Sequence, residues 1–469
     1  MGARWLLLAG AALMAVTAGA SAQTPAPPPA QTPLPATAPP AARTPPPVTS
    51  AESRIFGKVL SVEDAVAVAL ETQPSIQARL SDYIAAAFRV DQALAPLFPQ
   101  VTGTFTGAMT RNATTSQIPA TSLIPAGSRR NVTTYTESPF DPTVARVSVS
   151  QLLFDFGKSF ASTETARKVA DAALEDTELQ RQVVTQTVKE SFTNINLAGR
   201  LIQVNQQAVE RAELNLKSAR GFFEVGTRPK SDVARAEVDV ANAKVDLIRA
   251  RNADRLARVA LVTAMGLPAT TPVQVQDNLM YQPVTLDRAR LAEDALRQRP
   301  EYRQIRLAAD AADARLRRAF RDFFPDITGG GFYGATRGDL NEAWEVNLNL
   351  NWSIFDGGNR IACHREARAN LDAAVARVKA SELDLSREVE QAVNNVTEAD
   401  ERIQAAKVAV ESAQENFRLA QGRFDAGVGT ILELTDAQLA LTQAQSTEAT
   451  ALADYRISLA RLDRAVGRR

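Results

Sequence analysis

The chain is written twice, and this duplication restricts its fold more than any other feature. Pro74, Pro99 and Gly103 return as Pro300, Pro325 and Gly329, a constant shift of 226 residues. Phe154-Asp155 returns as Phe355-Asp356, Phe223 as Phe424, Gly226 as Gly427 and Gly266 as Gly467, all shifted by 201. Two registers joined by one length change imply two similar structural units. The first carries the longer loop, between Gly103 and Phe154. A period this long is not that of a solenoid, whose repeats run to about 20–50 residues. The halves are read as 55–266 and 287–467, joined by a connection at 267–286.

Each half carries the same order of parts. A helix is expected over about 61–97 and again over 287–323, each closing near a Phe-Pro step, because proline disfavours helical geometry in the residue before it. Ser61 to Asp64 has the form of a capping box. Two strands follow, about 101–111 and 144–154 in the first half, 326–337 and 346–354 in the second. In the last, Val346, Leu348, Leu350, Trp352 and Ile354 alternate with Asn347, Asn349, Asn351 and Ser353. That period of two puts apolar side chains on one face and mostly amides on the other.

A proline-free run comes next, about 158–224 and 359–425. Its apolar positions, among them Leu197, Leu201, Val204, Ala208, Ala212 and Leu216, step by three or four as in a coiled-coil seam. At 1.5 Å per residue, roughly 65 residues make a rod about 100 Å long. Gly226 and Gly427 tolerate the left-handed backbone that reverses the chain. Shorter helices return over about 231–264 and 431–465. Being half the length of the rods, each needs a second short helix stacked on it. Helix 287–323 is expected to extend the first return helix, and helix 61–97 the second.

Residues 1–22 read as an export signal, with Arg4, the apolar stretch Trp5 to Val16 and the small-residue site Ala20-Ser21-Ala22. Residues 23–54 read as a linker, since 11 of the 24 prolines fall within 25–47. Past the signal there is no run of 18 apolar residues. Membrane entry therefore requires a closed β-barrel. Four strands cannot close one, as the smallest membrane barrels have about eight. An open sheet would leave backbone groups unpaired in lipid, so several copies must share one wall.

Some functions are disfavoured. Formal net charge is zero, from 53 basic and 53 acidic residues, which gives no reason to expect nucleic acid as a partner. The single cysteine, Cys363, excludes an intramolecular disulfide, and the single histidine, His364, is its neighbour. Adjacent residues on a helix point to different faces, which argues against a Cys-His catalytic pair. No phosphate-binding loop or clustered metal ligands occur. No enzyme activity, cofactor or metal is expected.

The ordered set of phrases resembles the TolC-like outer membrane efflux proteins. It comprises Leu97-Phe98-Pro99 and Phe323-Phe324-Pro325, Leu153-Phe154-Asp155-Phe156-Gly157 and Ile354-Phe355-Asp356-Gly357-Gly358, and Phe223-Glu224-Val225-Gly226 and Phe424-Asp425-Ala426-Gly427. The resemblance implies a mainly α fold with a membrane β-barrel portion. It further implies a homotrimer sharing a twelve-stranded barrel, continued by a coiled-coil helical tunnel in the periplasm. Such a duct sits in outer-membrane lipid and serves tripartite efflux or type I secretion, with a periplasmic adaptor and an inner-membrane transporter as partners. The rival reading, a periplasmic coiled-coil or surface tether without a pore, leaves the duplicated strand pairs unexplained.

The candidate site is the second tip. Glu433 and Asp436 are three apart and share a helix face. Rings of such carboxylates favour cations. Thr430 to Glu433 also has the form of a capping box, so Glu433 has an ordinary role open to it. By resemblance, the acidic pair lines the closed periplasmic entrance. Gly226, Asp232 and Gly427 then belong to the tips and their closure. The arginine of the family's usual link falls on Gly429 and its tyrosine on Phe424, so that link is incomplete here. Arg228, Lys230 and Arg235 are the nearby basic substitutes, against a plain reading as solvated charges.

Overall fold

The computed structural model describes residues 58–117, 131–336 and 341–468. The expected signal at 1–22 and the proline-rich segment at 23–54 lie outside the described residues. The chain begins with strand β1 (Val59–Leu60), helices α1 (Val62–Thr72) and α2 (Pro74–Leu94), and strands β2 (Gln100–Gln117) and β3 (Asn131–Phe154). Helices α3 (Lys158–Glu224) and α4 (Lys230–Ala264) and the short strand β4 (Gln274–Val275) follow. Helices α5 (Arg288–Gln298) and α6 (Pro300–Arg321), strands β5 (Asp326–Thr336) and β6 (Asn341–Asn351), and helices α7 (Asn359–Asp425) and α8 (Ile431–Val466) complete it.

Both long helices run as expected, 67 residues each. Each opens on an aspartate that accepts backbone N–H groups of the first turn. Asp155 accepts from Ser159 at 2.6 Å and Gly157 at 2.9 Å, and Asp356 accepts from Arg360 at 3.1 Å. A carboxylate there satisfies donors that have no intrahelical partner. This is the physical content of the repeated Phe-Asp phrase.

The expected single helices at 61–97 and 287–323 are each two. Gln73 and Arg299 have ψ near 117° and 124°, so α1 and α5 stop and a proline starts α2 and α6. Proline forces its predecessor out of helical geometry and is tolerated at a helix's first position. Strand bounds also differ. β2 and β3 extend beyond the expected 101–111 and 144–154, and residue 337 of the expected 326–337 lies outside the described residues. β6 occupies Asn341–Asn351 rather than 346–354. Asn351 pairs with Asp326, and Pro325 just before it has no N–H with which to continue the ladder. Trp352 instead donates its indole N–H to the Phe323 carbonyl at 3.1 Å.

The four long strands form one antiparallel sheet in the order β2-β3-β5-β6. Its registers gather apolar residues on one face. Val101 stands beside Val149, Val149 beside Gly331 and Gly331 beside Val346, and Tyr333 lies between Val147 and Trp344. The opposite face carries Thr102, Ser148 and Glu345, with an amide ladder in which Asn349 donates to Asn347 and Asn347 to Glu345. Val346 is 82% exposed and Leu348 69%. The apolar face is thus bare within one protomer.

The stacking of the short helices corrects the expectation. The end of α4 meets the start of α2, not α6, and the end of α8 meets the start of α6. A Cβ on Gly266 would lie 2.9 Å from Gln73 Cα, and one on Gly467 2.9 Å from Arg299 N. Thr72 donates to the Met265 carbonyl, and Gln73 Nε2 to that of Ala264 at 3.2 Å. Parallel pairing of β1 with β4 ties the same ends together. Either pairing gives a column of the right length, so helix lengths left the choice open. The contacts at Gln73 and Arg299 make it.

A belt of core surrounds each junction. Phe192, Ile195, Leu261 and Met265 fill the first, and Val389, Ile403, Tyr455 and Leu462 the second. Each such fully buried side chain contributes about 1.5–3 kcal/mol. Along the rods the seam positions Ala208, Ala212 and Ala219 are buried. The columns adjoin in the order α2/α4, α3, α6/α8, α7, matching the strands above them.

Candidate pore entrance

The two hairpin tips carry the expected glycine turns. Gly226 and Gly427 have φ of 77° and 80°, a region that penalises any side chain. Behind them, Phe424, Ile431 and Leu434 form a small core against Phe222 and Phe417. Phe222 and Phe424 meet edge to face, 5.6 Å between ring centres. Phe223, the repeat partner of Phe424 in sequence, is instead exposed.

Arg228 joins the tips. Its Nη2 donates to the Gly429 carbonyl at 2.5 Å, and its Nη1 lies 3.6 Å from Asp232 Oδ2. The guanidinium carbon sits 4.6 Å from the Phe424 ring centre, a cation–π geometry. The side chains of Arg228 and Asp232 are only 13% and 16% exposed. The plain reading of Arg228 as a solvated charge is therefore overturned, while Lys230 and Arg235 stay exposed. Asp232 stands beside an arginine of its own tip, Arg228. Gly429 contributes a carbonyl, not a side chain. A Cβ at Gly429 would lie 3.0 Å from Arg423 and Phe424 atoms, so the close turn itself disfavours anything larger.

Glu433 and Asp436 lie in the first two turns of α8, both exposed. Thr430 caps the helix by accepting from Glu433 N–H at 3.2 Å. The Glu433 carboxylate approaches Arg423 Nε at 3.5 Å and is half exposed, so the ordinary capping role belongs to Thr430. Asp436 has no ion-pair or hydrogen-bond partner among the described residues. Ile431, Leu434 and Ala437 bury the other side of the helix, and Thr435 holds α8 to α4 by donating to Asp239 at 2.9 Å. The acidic pair is thus displayed from a fixed helix.

Sequence reasoning placed Asp232 and the glycines and named Arg228 among three cations. It did not choose among them. The available signal was Pro229, which stops Arg228 from being helical and turns it back across the tip.

A family model described as "Outer membrane efflux protein" matches residues 65–267 and 291–468. The chain belongs to the outer membrane efflux protein family. Nodulation protein T of Rhizobium leguminosarum bv. trifolii is 24% identical over 344 residues, 71% of this chain and 73% of that protein. Outer membrane protein TolC of Vibrio cholerae is 25% identical over 338 residues, 69% of this chain and 76% of its own. Among solved structures, the outer membrane protein VceC of Vibrio cholerae superposes with a TM-score of 0.69 at 18% identity, covering 87% of this chain and 96% of that one. That likeness is one of fold. Members of the family are channel proteins, and this one is an efflux channel of the outer membrane.

Proposed function

We propose that three copies of this chain close one twelve-stranded barrel and one helical tunnel, forming the exit duct of a tripartite efflux or type I secretion system. The observation that carries this reading is the pair of unfinished edges. β2 and β6 end the sheet, and the α2/α4 column and α7 end the helical layer below it. Unpaired strand edges cost several kcal/mol per backbone group in lipid, so the edges must meet other copies. Large apolar residues crowd the same columns. Phe88, Val238 and Ile248 are exposed on one edge, and Leu383, Val408 and Leu419 on the other. Exposed stripes at coiled-coil spacing call for a partner helix.

The chain's two halves, 55–266 and 287–467, act in this reading as duplicated units. The element order supports it, with outgoing helices of 67 residues in both and return helices of 35 and 36. Rods of about 100 Å carry the tips deep into the periplasm. There the duct meets a periplasmic adaptor and an inner-membrane transporter, which supplies the energy. Residues 1–22 serve as the export signal and 23–54 as a linker.

At the tips, copies of Glu433 and Asp436 from three protomers ring the entrance and favour cations. Arg228 holds the two hairpins of each protomer together through Asp232, Gly429 and Phe424, and this clasp keeps the entrance closed. Reconstitution in planar bilayers tests the whole reading, with cysteine pairs engineered across the β2–β6 edges. Discrete conductance steps and a crosslinked trimer are expected. A tether without a pore gives no steps at any protein concentration.

A further inference from the structure

Below the barrel, α6 and α7 stand apart enough to leave a cleft of about 650 Å³ on one side of the wall. Its floor is Ile305, Ala308 and Ala312 of α6 with Ala367 and Ala374 of α7. Small side chains on facing helices create the space. The cleft continues over α6 into a second of 330 Å³, where Val169 and Ala172 of α3 take over the floor. Volumes of about 300–1,000 Å³ are those of small-molecule sites.

The polar groups at this cleft are few and unbalanced. Arg315 and Arg377 reach it from the two helices, and Glu366 is the one acidic residue lining it. Neither arginine has an ion pair or a hydrogen bond among the described residues. Arg303, Arg317, Arg360 and Arg368 nearby are all paired with carboxylates, whereas these two guanidiniums remain available to a ligand. An apolar floor flanked by two free guanidiniums and one carboxylate carries a net charge of one positive unit.

The cleft lies on a different side of α6 from the ring contacts that lead down from the sheet. Phe154, Phe156, Phe324 and Phe320 form a chain of ring contacts from the strand end onto α6. Ala308 and Arg315 lie roughly 120–140° around the α6 wheel from Phe320. On α7, Glu390 accepts from Arg288 of α5 and Asp400 from Tyr281 of the 267–286 connection. Asn370 and Arg377 fall on the far side of α7 from both. In the proposed trimer this side is the inner wall.

The geometry points to a transit site for amphiphilic organic monoanions, molecules with an aromatic or aliphatic body and one carboxylate or similar group. Its position is the tunnel wall between the acidic entrance and the barrel. The body lies on the alanine floor, and the anionic group pairs with Arg315 and Arg377, guanidiniums being suited to bidentate carboxylate binding. This rests on the duct reading and deepens it, by naming a class of cargo that the wall holds above the entrance.

Cys363, the only cysteine, lines the same cleft and is exposed, so the unmodified protein reports on its own site. Trimers in lipid nanodiscs are alkylated with a maleimide in the presence of 1-naphthylacetate or of 1-naphthylethylamine, which share a ring system and differ in charge. The anion is expected to slow alkylation about threefold at two-thirds occupancy, and the cation not to. In the Arg315→Ala, Arg377→Ala double variant the protection is expected to vanish. Equal protection by both probes, none by either, protection that survives the double variant, or a thiol that does not react at all overturns the site. Bilayer conductance of the same preparations separates this from the duct reading. Conducting trimers without anion-specific protection remove the site alone, whereas absent conductance removes the duct.

Discussion

At the first tip the chain turns through Gly226, with Thr227 N–H donating to the Phe222 carbonyl at 3.0 Å; at the second it turns through Gly427, with Val428 N–H donating to the Arg423 carbonyl at 3.0 Å. The backbones match, yet the side chains do different work. The first tip enters its return helix through Pro229 with no side-chain cap, and sends Arg228 across to its neighbour. The second enters through the Thr430 cap and displays Glu433 and Asp436. One aromatic of each pair has also diverged, Phe424 being buried under Arg228 while Phe223 faces solvent. The lesson is that a glycine turn sets only the reversal. Charge placement on either side of it can then separate, one tip holding and the other displaying.

The largest expected effect comes from removing the holding group. Arg228→Ala deletes a charge-assisted hydrogen bond and a cation–π contact, together about 2 kcal/mol, which corresponds to roughly thirtyfold in the open population. Single-channel recording should show it as a matching rise in open time, while Arg235→Ala leaves the recording unchanged. If both behave alike, the tips do not differ as described. Asp232→Ala should act in the same direction and more weakly, because the Gly429 and Phe424 contacts survive. A closed state indistinguishable from wild type would remove Asp232 from the clasp.

Neutralising the displaying tip should change selectivity, not closure. In Glu433→Gln with Asp436→Asn, the cation-to-anion permeability ratio is expected to fall about three- to tenfold, as ringed charges are lost. Reversal potentials in asymmetric KCl measure it. Arg228→Ala should leave that ratio alone.

Stability changes are smaller. Gly429→Ala brings a Cβ to 3.0 Å from backbone, whereas Gly226→Ala meets nothing within 4 Å and suffers only its positive φ. That φ penalty is about 1–2 kcal/mol. Gly429→Ala also shifts the carbonyl that Arg228 uses, so it should lengthen open times where Gly226→Ala does not. Thr430→Ala should cost about 1 kcal/mol as a lost helix cap, read as a lowered thermal midpoint. Pro229→Ala has no cap to lose. Equal losses at both positions would contradict the difference in capping.

The acid side of stability follows from the helix starts. Burial raises the Asp155 carboxyl, but hydrogen bonds from Ser159 and Gly157 outweigh it and hold the group below its ordinary value of 3.8. A depressed folded pKa contributes stability above the unfolded value and loses it as pH falls through the folded one. Asp155→Asn should therefore be less stable than wild type at pH 7 by about 1 kcal/mol, and the difference should shrink as pH falls below the ordinary value of 3.8 and through the depressed one. Thermal melts across that range measure it.

Much of the fold was legible along the chain because its signals are local. Helical rods 158–224 and 359–425, their glycine turns and the strand face around Val346 each follow from periodicity or from one residue's backbone freedom, over a few neighbouring positions. The breaks at Gln73 and Arg299 were legible too, in Pro74 and Pro300, although the expected helices ran through them. What periodicity could not choose was which of two equivalent short helices continues each return helix, and which of three nearby cations reaches Asp232. Those choices rest on contacts between residues about 190 to 200 positions apart, Gln73 with Ala264 and Arg228 with Gly429. A repeat offers the same local pattern twice, so local pattern cannot tell one copy's partner from the other's; three-dimensional packing, through close approach at Gly266 and Gly467, can.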